Sequence, residues 1–306
     1  MKATAPGKLF LIGEYAVLEG GPAILTTVPQ RAEASLAPTD TAMVTTVTSE
    51  TQQIPLHEAL TDLPLVSLIL DKLNCREQLQ QHTLTLDTSA FYKKGVKLGL
   101  GSSAAVTAAL VKLLLPEADQ PRQFDIANHC HQGFQSGKGS GADIALSVND
   151  IPITFRMGLP PESISLPTDL YMLAIWTGDA ASTTAFISGL QSWQGSHEKR
   201  YWHHMHQLIE TAEQCVNAIK TDRTHQVLAI IEQYSDHLES LSSESGLDFY
   251  NPSHLALRKQ VELMHCVYKP SGAGGGDFGI AYSASKNDLI ILAEKMSREG
   301  RYAFFV

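Results

Sequence analysis

The stretch Lys97–Leu115, KLGLGSSAAVTAALVKLLL, places two glycines and two serines before an alanine- and leucine-rich pattern typical of a helix. Gly99 and Gly101 allow a ligand to approach the backbone closely and to meet free N–H groups. The N-terminus of the following helix offers further N–H groups and a partial positive charge, which favour an anion. Ser102 and Ser103 add hydroxyl groups. The stretch therefore predicts either a phosphate-binding loop or an ordinary glycine turn with a serine cap.

Two familiar nucleotide-binding motifs do not fit this stretch. Gly99-x-Gly101-x-x-Ala104 formally matches the dinucleotide fingerprint, which needs a second strand with an acidic residue at its end. Here Glu117 and Asp119 follow the helix directly, with no strand before them. A P-loop needs GxxxxGK followed by serine or threonine, and the nearest match, GFQSGKGS, has the wrong spacing. Three cations precede the glycines and favour an anion site: Lys93, Lys94 and Lys97.

Two further glycine-rich loops come later in the chain. Ser271–Gly279, SGAGGGDFG, has five glycines in nine residues. Each glycine costs backbone entropy on folding, so this loop predicts either a backbone wall for a ligand or another loop, or a flexible hinge. Ser136–Asp143, SGKGSGAD, ends in an acid before an apolar run. Asp143 is therefore a candidate helix cap, catalytic base or metal ligand.

The composition indicates a globular chain with a small ligand. Of its 306 residues, 43% are hydrophobic and 18% are charged, which excludes a disordered protein. The net charge of −9 argues against nucleic acid or an anionic membrane as a partner. The four cysteines form no CxxC pair, so we expect buried free thiols in a reducing compartment. Lys8 and Glu14 interrupt the first apolar run, which is unlike a signal peptide. We expect a cytoplasmic protein.

The predicted elements favour an α+β fold over regular β-α-β alternation. GPAILTTV and RAEASLA predict a hairpin, HTLTLDTSA predicts a strand, and residues 197–245 predict a long helical stretch. In that stretch YWHHMH predicts a partly exposed helix face rather than a metal site. A proline-rich shift near Pro160, Pro161 and Pro167 predicts a boundary between domains at 1–165 and 166–306.

Three motifs, taken together, resemble those of the GHMP small-molecule kinases. They are, in order, PGKLFLIGEYAVLEGGPAI (Pro6–Ile24), GLGSSAA (Gly99–Ala105) and SGAGGGDFGIA (Ser271–Ala281). The resemblance implies a two-domain α+β architecture. Its N-terminal domain would be like the second domain of ribosomal protein S5, and its C-terminal domain would be ferredoxin-like.

Smaller features are similar to the phosphomevalonate kinase branch of that superfamily. They are Gly13-Glu14-Tyr15 in the first motif, the segment HCHQGFQSGKGSGAD (His129–Asp143), WTGDAAST (Trp176–Thr183) and Asp277 in the third motif. The position of a metal-binding glutamate in mevalonate kinases is Gln132 here, which argues against their style of metal site. The resemblance implies transfer of a phosphoryl group from ATP to 5-phosphomevalonate, giving 5-diphosphomevalonate for isoprenoid biosynthesis.

The resemblance also implies roles for individual residues. Lys8 and Asp143 match the catalytic positions, with Asp143 acting either as a general base or as an orienting group. The ATP-binding residues would be Lys97, Gly99, Leu100, Gly101, Ser102, Ser103 and Ala104. The acceptor-binding residues would be Glu14, Tyr15, Lys97, Ser140, Gly141, Ser182, Thr183, Gly274 and Gly275, with Lys93, Lys94 and Lys138 as further cations. Ser102 would assist Mg²⁺ carried by ATP. We expect a monomer or a homodimer.

Two alternatives remain at this point. Another acceptor within the superfamily, chiefly mevalonate, would use the same three loops. A non-catalytic member would keep the fold as a binding or regulatory module. Retention of Lys8, Ser102 and Asp143 argues against the second alternative.

Overall fold

Helices and strands alternate irregularly in the computed structural model, which describes residues 1–135, 139–181 and 183–306 and confirms the α+β class. Lys138 and Ser182, both predicted to contact the acceptor, lie outside the described residues. The chain forms two units: Met1–Lys8 with Thr27–Ile151, and Leu9–Thr26 with Pro152–Val306. These units interleave along the chain, so the boundary expected at residue 165 stays a prediction.

The first unit contains a sheet in the order β4-β3-β5-β2, with β1 also paired to β2. Strands β3 and β5 run parallel, whereas β2 and β5 run antiparallel and pair Glu33 with Asp87 through Pro38 with His82. Two short strands, β6 and β7, form a separate hairpin. The strands are β1 (Lys2–Ile12), β2 (Ala23–Pro38), β3 (Met43–Val47), β4 (Thr51–Pro55), β5 (His82–Asp87), β6 (Tyr92–Lys93) and β7 (Val96–Lys97).

The expected hairpin over residues 21–37 is wrong, because β2 is one continuous strand of 16 residues. A tight two-residue hairpin turn needs positive φ angles, which Pro29 cannot adopt. From Val28 to Leu36 every second side chain is buried, and this period of two continues through Pro29 without a break. The single long strand brings its residues into both units.

Five α-helices lie in the part of the first unit that the structure describes. They are α1 (Leu56–Asp62), α2 (Pro64–Leu73), α3 (Ser102–Leu114), α4 (Gln120–Phe134) and α5 (Ala142–Asn149). The alanine-rich helix α3 buries residues on nearly every side, and Ala104 and Ala108 join Leu84 of the sheet in one apolar core. Small side chains let α4 and α5 pack closely against α3. The helix that follows the glycine loop is thus the central helix of its unit.

The second unit has an antiparallel sheet in the order β11-β12-β10-β13. The strands of this sheet are β10 (Tyr171–Trp176), β11 (Val267–Pro270), β12 (Phe278–Ser283) and β13 (Ala303–Phe305). The unit also holds β8 (Ile153–Phe155) and β9 (Glu162–Ser163), which pair with each other, and β8 pairs with β2 at Ala23–Leu25. Its helices are α6 (Thr183–Ser196), α7 (Glu198–Lys220), α8 (Thr224–Ser245), α9 (Pro252–Glu262) and α10 (Lys286–Arg298). The expected helical stretch over 197–245 is therefore a pair, α7 and α8.

The core of the second unit is rich in tyrosines whose hydroxyl groups all have partners. Tyr234, Tyr268 and Tyr282 are among the largest fully buried side chains. Their hydroxyls meet the backbone oxygen of Glu14, a ring nitrogen of His254 and the backbone oxygen of Leu11, respectively. Such bonds offset the cost of burying each phenol. They also tie the segment that carries the first motif to the core of this unit.

All four cysteines are buried free thiols, as expected. No helix within the described residues combines the length and apolar character that a membrane crossing requires.

Candidate active site

The glycine loop before α3 is held by two buried leucines, Leu98 and Leu100, each 1% exposed. Between and after them, Gly99 and Gly101 have φ angles of 70° and 78°, which L side chains rarely adopt. The anchors fix the path of the loop while the glycines leave its backbone free of side chains. The geometry expected for a phosphate-binding loop is therefore present.

A serine does not cap α3. Gly101 occupies the cap position, no side chain accepts a hydrogen bond from the first turn, and Ser102 is the first helical residue. The N–H groups at the start of α3 are thus not bound by a capping side chain, unlike those at the start of α4, where Asp119 accepts from Arg122. This excludes the serine-cap alternative, and an anion at this end of α3 stays a prediction. Ala104, by contrast, is buried in the core and can offer a ligand only its backbone.

Lys8 lies against this loop through both its backbone and its side chain. Its N–H donates to the oxygen of Leu100 at 2.9 Å. A Cβ atom on Gly101 would come within 3.1 Å of Cγ and 3.4 Å of Cε of Lys8. The lysine stem therefore runs across the loop at Gly101, and any larger residue there would displace it. The structure thus places Lys8, a predicted catalytic residue, against the loop of the predicted ATP-binding residues.

Asp143 does not cap its helix either. Gly141, with a φ of 82°, holds the cap position of α5, and Asp143 is in the first turn. A Cβ on Gly141 would stand 2.5 Å from Oδ1 of Asn128, so glycine is needed for α4 and α5 to meet here. Asp143 is half-buried between buried neighbours, and its Oδ1 accepts from the N–H of Ile144 at 2.9 Å. Beside it, Ser140 accepts from the N–H of Ala142 at 3.3 Å.

One hydrogen bond ties the helix of Asp143 to the strand of Lys8. Ser147, one helical turn after Asp143, donates from Oγ to the oxygen of Pro6 at 2.9 Å. Pro6 precedes Lys8 by two residues, and residues two apart in a strand share a face. Lys112 of α3 donates to the oxygen of Ser147 at 3.0 Å. The two candidate catalytic residues are therefore held by one connected framework.

His131 is a second contact to the glycine-loop helix. It lies on α4, is 2% exposed, and its Nε2 stands 3.2 Å from Oγ of Ser103. Burial lowers the pKa of His131, and the carboxylate of Asp143 opposes this shift, so the ring is neutral at pH 7. Gln132, the next residue, instead lines an open groove that also includes Leu68 of α2.

The three lysines before the loop stand on the β6–β7 hairpin and are exposed. Lys94 and Gly95 form its two-residue turn with φ angles of 50° and 80°. Lys97 pairs with Tyr92 across the hairpin and immediately precedes Leu98. These cations therefore lie on a short exposed hairpin that leads directly into the glycine loop.

Glu14 and Tyr15 of the first motif lie in the second unit. Glu14 is 3% exposed and forms a buried ion pair with Lys269, which is fully buried. The same Oε1 accepts from the N–H of Gly272 at 3.2 Å. The Tyr15 hydroxyl donates to the oxygen of Ala273 at 2.5 Å. Both residues, predicted to bind the acceptor, thus contact the third glycine loop, Ser271–Gly279.

The third loop is a tightly packed wall rather than a hinge. Cβ atoms on Gly274 and Gly275 would come within 2.5 Å of the Phe249 oxygen and 2.2 Å of Cζ of Phe186. Gly276 would meet the oxygen of Asp179 at 2.9 Å. The glycines are therefore required by neighbours within this unit. The sequence predicts such a wall but carries no sign of which residues pack on it.

This wall also meets the WTGDAAST segment. The N–H of Asp277 donates to the oxygen of Asp179 at 2.8 Å, and Oδ1 of Asp277 accepts from Ala181 at 3.3 Å. Thr183, two residues further on, is exposed at the start of α6. Two segments expected at the acceptor, the third loop and the approach to Thr183, are therefore neighbours in the second unit.

His254 supports the Ser271–Gly279 loop through a hydrogen bond to its backbone. This histidine is not among the site residues predicted from the sequence. Its Nε2 donates to the Gly276 oxygen at 3.0 Å, while Nδ1 accepts from the Tyr268 hydroxyl at 2.8 Å. Burial lowers the pKa of His254 to about 4. A histidine beside an apolar helix pattern gives no sequence signal that distinguishes this role.

The low pKa of His254 predicts acid instability. The unfolded chain binds this proton near pH 6.5, whereas the folded protein binds it near pH 4. The contribution is therefore fully present above pH 6.5 and is lost as the pH falls to 4, which lowers the free energy of unfolding by up to about 3 kcal/mol. Denaturant unfolding at pH 7 and pH 4 should show that His254→Gln has a smaller pH dependence than the wild type. His57→Gln, at an exposed histidine, should not; equal dependence in all three would contradict this role.

Where the structure describes the chain, no group of three or more histidine, cysteine or acidic side chains could hold a metal ion. Ser102 is 6% exposed at the first position of α3. A hydroxyl there fits Mg²⁺ that arrives on nucleotide phosphates, because Mg²⁺ keeps most of its ligands from phosphate and water.

Searches against known proteins gave no matching family model. A phosphomevalonate kinase from Streptomyces sp. (strain CL190) is 29% identical to this chain over 90% of it and 88% of the relative. A phosphomevalonate kinase from Saccharolobus solfataricus is 25% identical over 98% of this chain and 94% of the relative. Both similarities extend over nine tenths or more of this chain.

Solved structures confirm the fold. The Streptococcus pneumoniae phosphomevalonate kinase in complex with phosphomevalonate and AMPPNP has a TM-score of 0.83 and 23% identity, and all of both chains is covered. The L. major mevalonate kinase in complex with R-mevalonate has a TM-score of 0.77 and 18% identity, covering all of this chain and 95% of the other. The fold implied by the three motifs is therefore confirmed, and the chain is similar to phosphomevalonate kinases along most of its length.

Proposed function

We propose that this protein transfers the γ-phosphoryl group of ATP to the phosphate of 5-phosphomevalonate. An oxygen of the acceptor phosphate forms a bond to the γ-phosphorus as the bond to the β-phosphate oxygen breaks, which gives ADP and 5-diphosphomevalonate. The observation that carries the proposal is Lys8 lying across an uncapped glycine loop, in a chain related to phosphomevalonate kinases over nine tenths of its length.

The loop and α3 would bind ATP. Phosphoryl transfer depends mainly on position and on neutralising charge, not on covalent chemistry by the protein. Backbone N–H groups at Gly101, Ser102 and Ser103, with the serine hydroxyls, would donate to the phosphates. Gly99 and Leu100 would fix the path of the loop. The Lys8 ammonium would stabilise charge on the transferring group.

Asp143 would orient groups rather than remove a proton. A phosphomonoester loses its second proton near pH 6, so the acceptor is already an anionic nucleophile at pH 7. A mevalonate hydroxyl is a far weaker acid and would need a general base. The hydrogen bond from Ser147, on the helix of Asp143, to Pro6, on the strand of Lys8, supports an orienting role, because it fixes the position of that helix relative to that strand.

The acceptor phosphate would need cations to offset its repulsion of ATP. Lys97 on the exposed hairpin is the first candidate, because it directly precedes the loop. Ser140, Gly141 and Thr183 remain proposed acceptor contacts. For Glu14 and Tyr15 we propose an indirect role, in which they hold the loop of Gly274 and Gly275. Ser182 keeps its proposed role from sequence alone.

Mg²⁺ that arrives with the nucleotide would supply positive charge to offset that of the phosphates. We propose Ser102 as the side chain that reaches it. A monomeric or homodimeric state and a cytoplasmic location belong to the same proposal, the latter supported by four unpaired thiols.

An ADP-release assay tests this function. With ATP and Mg²⁺ present, phosphomevalonate should be turned over, whereas mevalonate at the same concentration should give little ADP. Reactions without acceptor give the background of ATP hydrolysis. Turnover of mevalonate alone would contradict the acceptor, and no turnover with any acceptor would favour a non-catalytic role.

A further inference from the structure

His131 has no role in the proposed reaction, although it touches the nucleotide loop. It lies on α4, which packs against both α3 and α5, and it is 2% exposed. Burying an imidazole costs free energy unless its nitrogens find partners. Its Nε2 finds Oγ of Ser103, 3.2 Å away, in the first turn after the glycine loop. Among the described residues, the contact recorded for this buried ring nitrogen is therefore to a hydroxyl at the start of α3.

Nearby side chains do not duplicate this contact. Thr107, one turn further along α3, donates to the backbone oxygen of Ser103 at 2.7 Å, not to its hydroxyl. Gln132, next to His131 on α4, lines the groove toward α2. His131 is therefore the side chain of α4 for which the structure records a bond to the Ser103 hydroxyl.

The direction of this hydrogen bond decides what Ser103 offers a ligand. A serine hydroxyl has one hydrogen and two acceptor sites. If Nε2 carries its proton and donates to Oγ, the hydroxyl hydrogen is free to point at a phosphate oxygen. If Nε2 is bare, the hydroxyl donates to His131 and presents only lone pairs to the ligand. An anion at the start of α3 selects the first arrangement.

We propose that His131 is a positioning residue for nucleotide binding, whose Nε2–H holds the Ser103 hydroxyl with its hydrogen directed at a phosphate oxygen. The proposal rests on the proposed function, because it assumes that the loop takes ATP. His131 does not touch the nucleotide in this account. It acts through Ser103 and makes the hydroxyl a donor before the ligand arrives.

Two amide variants separate this role from a purely structural one. In His131→Gln the amide nitrogen reaches about as far as Nε2, whereas in His131→Asn it ends near Nδ1. Both variants keep a polar side chain of similar size. We expect His131→Asn to weaken AMPPNP binding about tenfold, the value of one hydrogen bond to a charged cluster. His131→Gln should recover most of that loss.

Calorimetric titration with AMPPNP and Mg²⁺ measures the dissociation constants, and steady-state assays give KM for ATP and for the acceptor separately. KM for ATP should rise in His131→Asn, while KM for the acceptor should stay within about twofold, since one hydrogen bond is removed at the nucleotide only. His129→Asn is the matched control: the same change two residues earlier on α4, at an exposed position. It should bind AMPPNP as the wild type does.

Ser103→Ala gives a second route that leaves the buried helix α4 unchanged. It should cause the same loss as His131→Asn, and adding His131→Asn to it should cause no further loss. Equal AMPPNP affinity in the Asn, Gln and wild-type proteins would overturn the proposal, as would additive losses in the double variant or a wild type that binds no AMPPNP. A wild type that binds AMPPNP yet does not turn over phosphomevalonate would refute the proposed function and leave the His131 test intact.

Discussion

Lys8→Met is expected to lower kcat by about 10³-fold while leaving the affinity for ATP within a few-fold of the wild type. The ammonium would act on charge that develops in the transition state, so its loss falls on kcat. The backbone bond from Lys8 to Leu100 does not involve the side chain. Methionine also keeps the apolar stem that lies against Gly101. The loop should therefore keep its shape and continue to bind nucleotide.

Steady-state kinetics and a separate titration with AMPPNP check this expectation. Lys2→Met is the matched control, since Lys2 lies on the same strand and pairs with Glu33 at an exposed position. It should retain wild-type kcat. Near-normal turnover by Lys8→Met would refute the role given to Lys8. Loss of AMPPNP binding would show that the ammonium already contributes to binding the nucleotide, and not only to the transition state.

Lys269→Met is expected to lower the free energy of unfolding by about 3–5 kcal/mol. The substitution leaves the carboxylate of Glu14 buried without its cation, and an uncompensated buried charge is costly. Because Glu14 also holds the N–H of Gly272, the third glycine loop should loosen as well. Denaturant unfolding measures the stability, and proteolysis near residues 271–279 reports on the loop.

The double variant Glu14→Gln/Lys269→Met distinguishes a lost charge partner from lost packing. Neutralising both partners removes the uncompensated charge, so it should be more stable than Lys269→Met alone. Arg31→Met breaks the exposed pair with Asp150 and should cost no more than about 1 kcal/mol. If Lys269→Met is no more destabilising than Arg31→Met, the buried pair does not have the importance assigned here.

The sequence was sufficient to predict the glycine loop and the helix that follows it, because the conformational preference of glycine is local. Gly99 and Gly101 need positive φ angles, and the helix that follows them has an uninterrupted alanine and leucine pattern. It was also sufficient to group the three motifs, and the fold that their resemblance implies is confirmed by solved structures. The hairpin expected around Pro29 is wrong, because β2 continues through Pro29 as one strand from Ala23 to Pro38.

Contacts between distant segments could not be predicted. Glu14 and Lys269 are 255 residues apart, and a lysine in the short strand VYKP gives no sign that it is buried. Lys8 and Asp143 come from different motifs, and the bond from Ser147 to Pro6 that ties their elements joins residues 141 apart. His131 stood in the sequence as one histidine of several. Its partner Ser103 emerges only when α4 packs on α3.

The identity of the product tests the central claim most directly. Phosphorus NMR of a reaction containing ATP, Mg²⁺ and phosphomevalonate would follow the acceptor's single phosphate resonance. We expect it to be replaced by two coupled resonances of a diphosphate, in a one-to-one ratio with the ADP formed. ADP that accumulates while the acceptor resonance remains unchanged, or conversion of mevalonate to a monophosphate under the same conditions, would contradict the account.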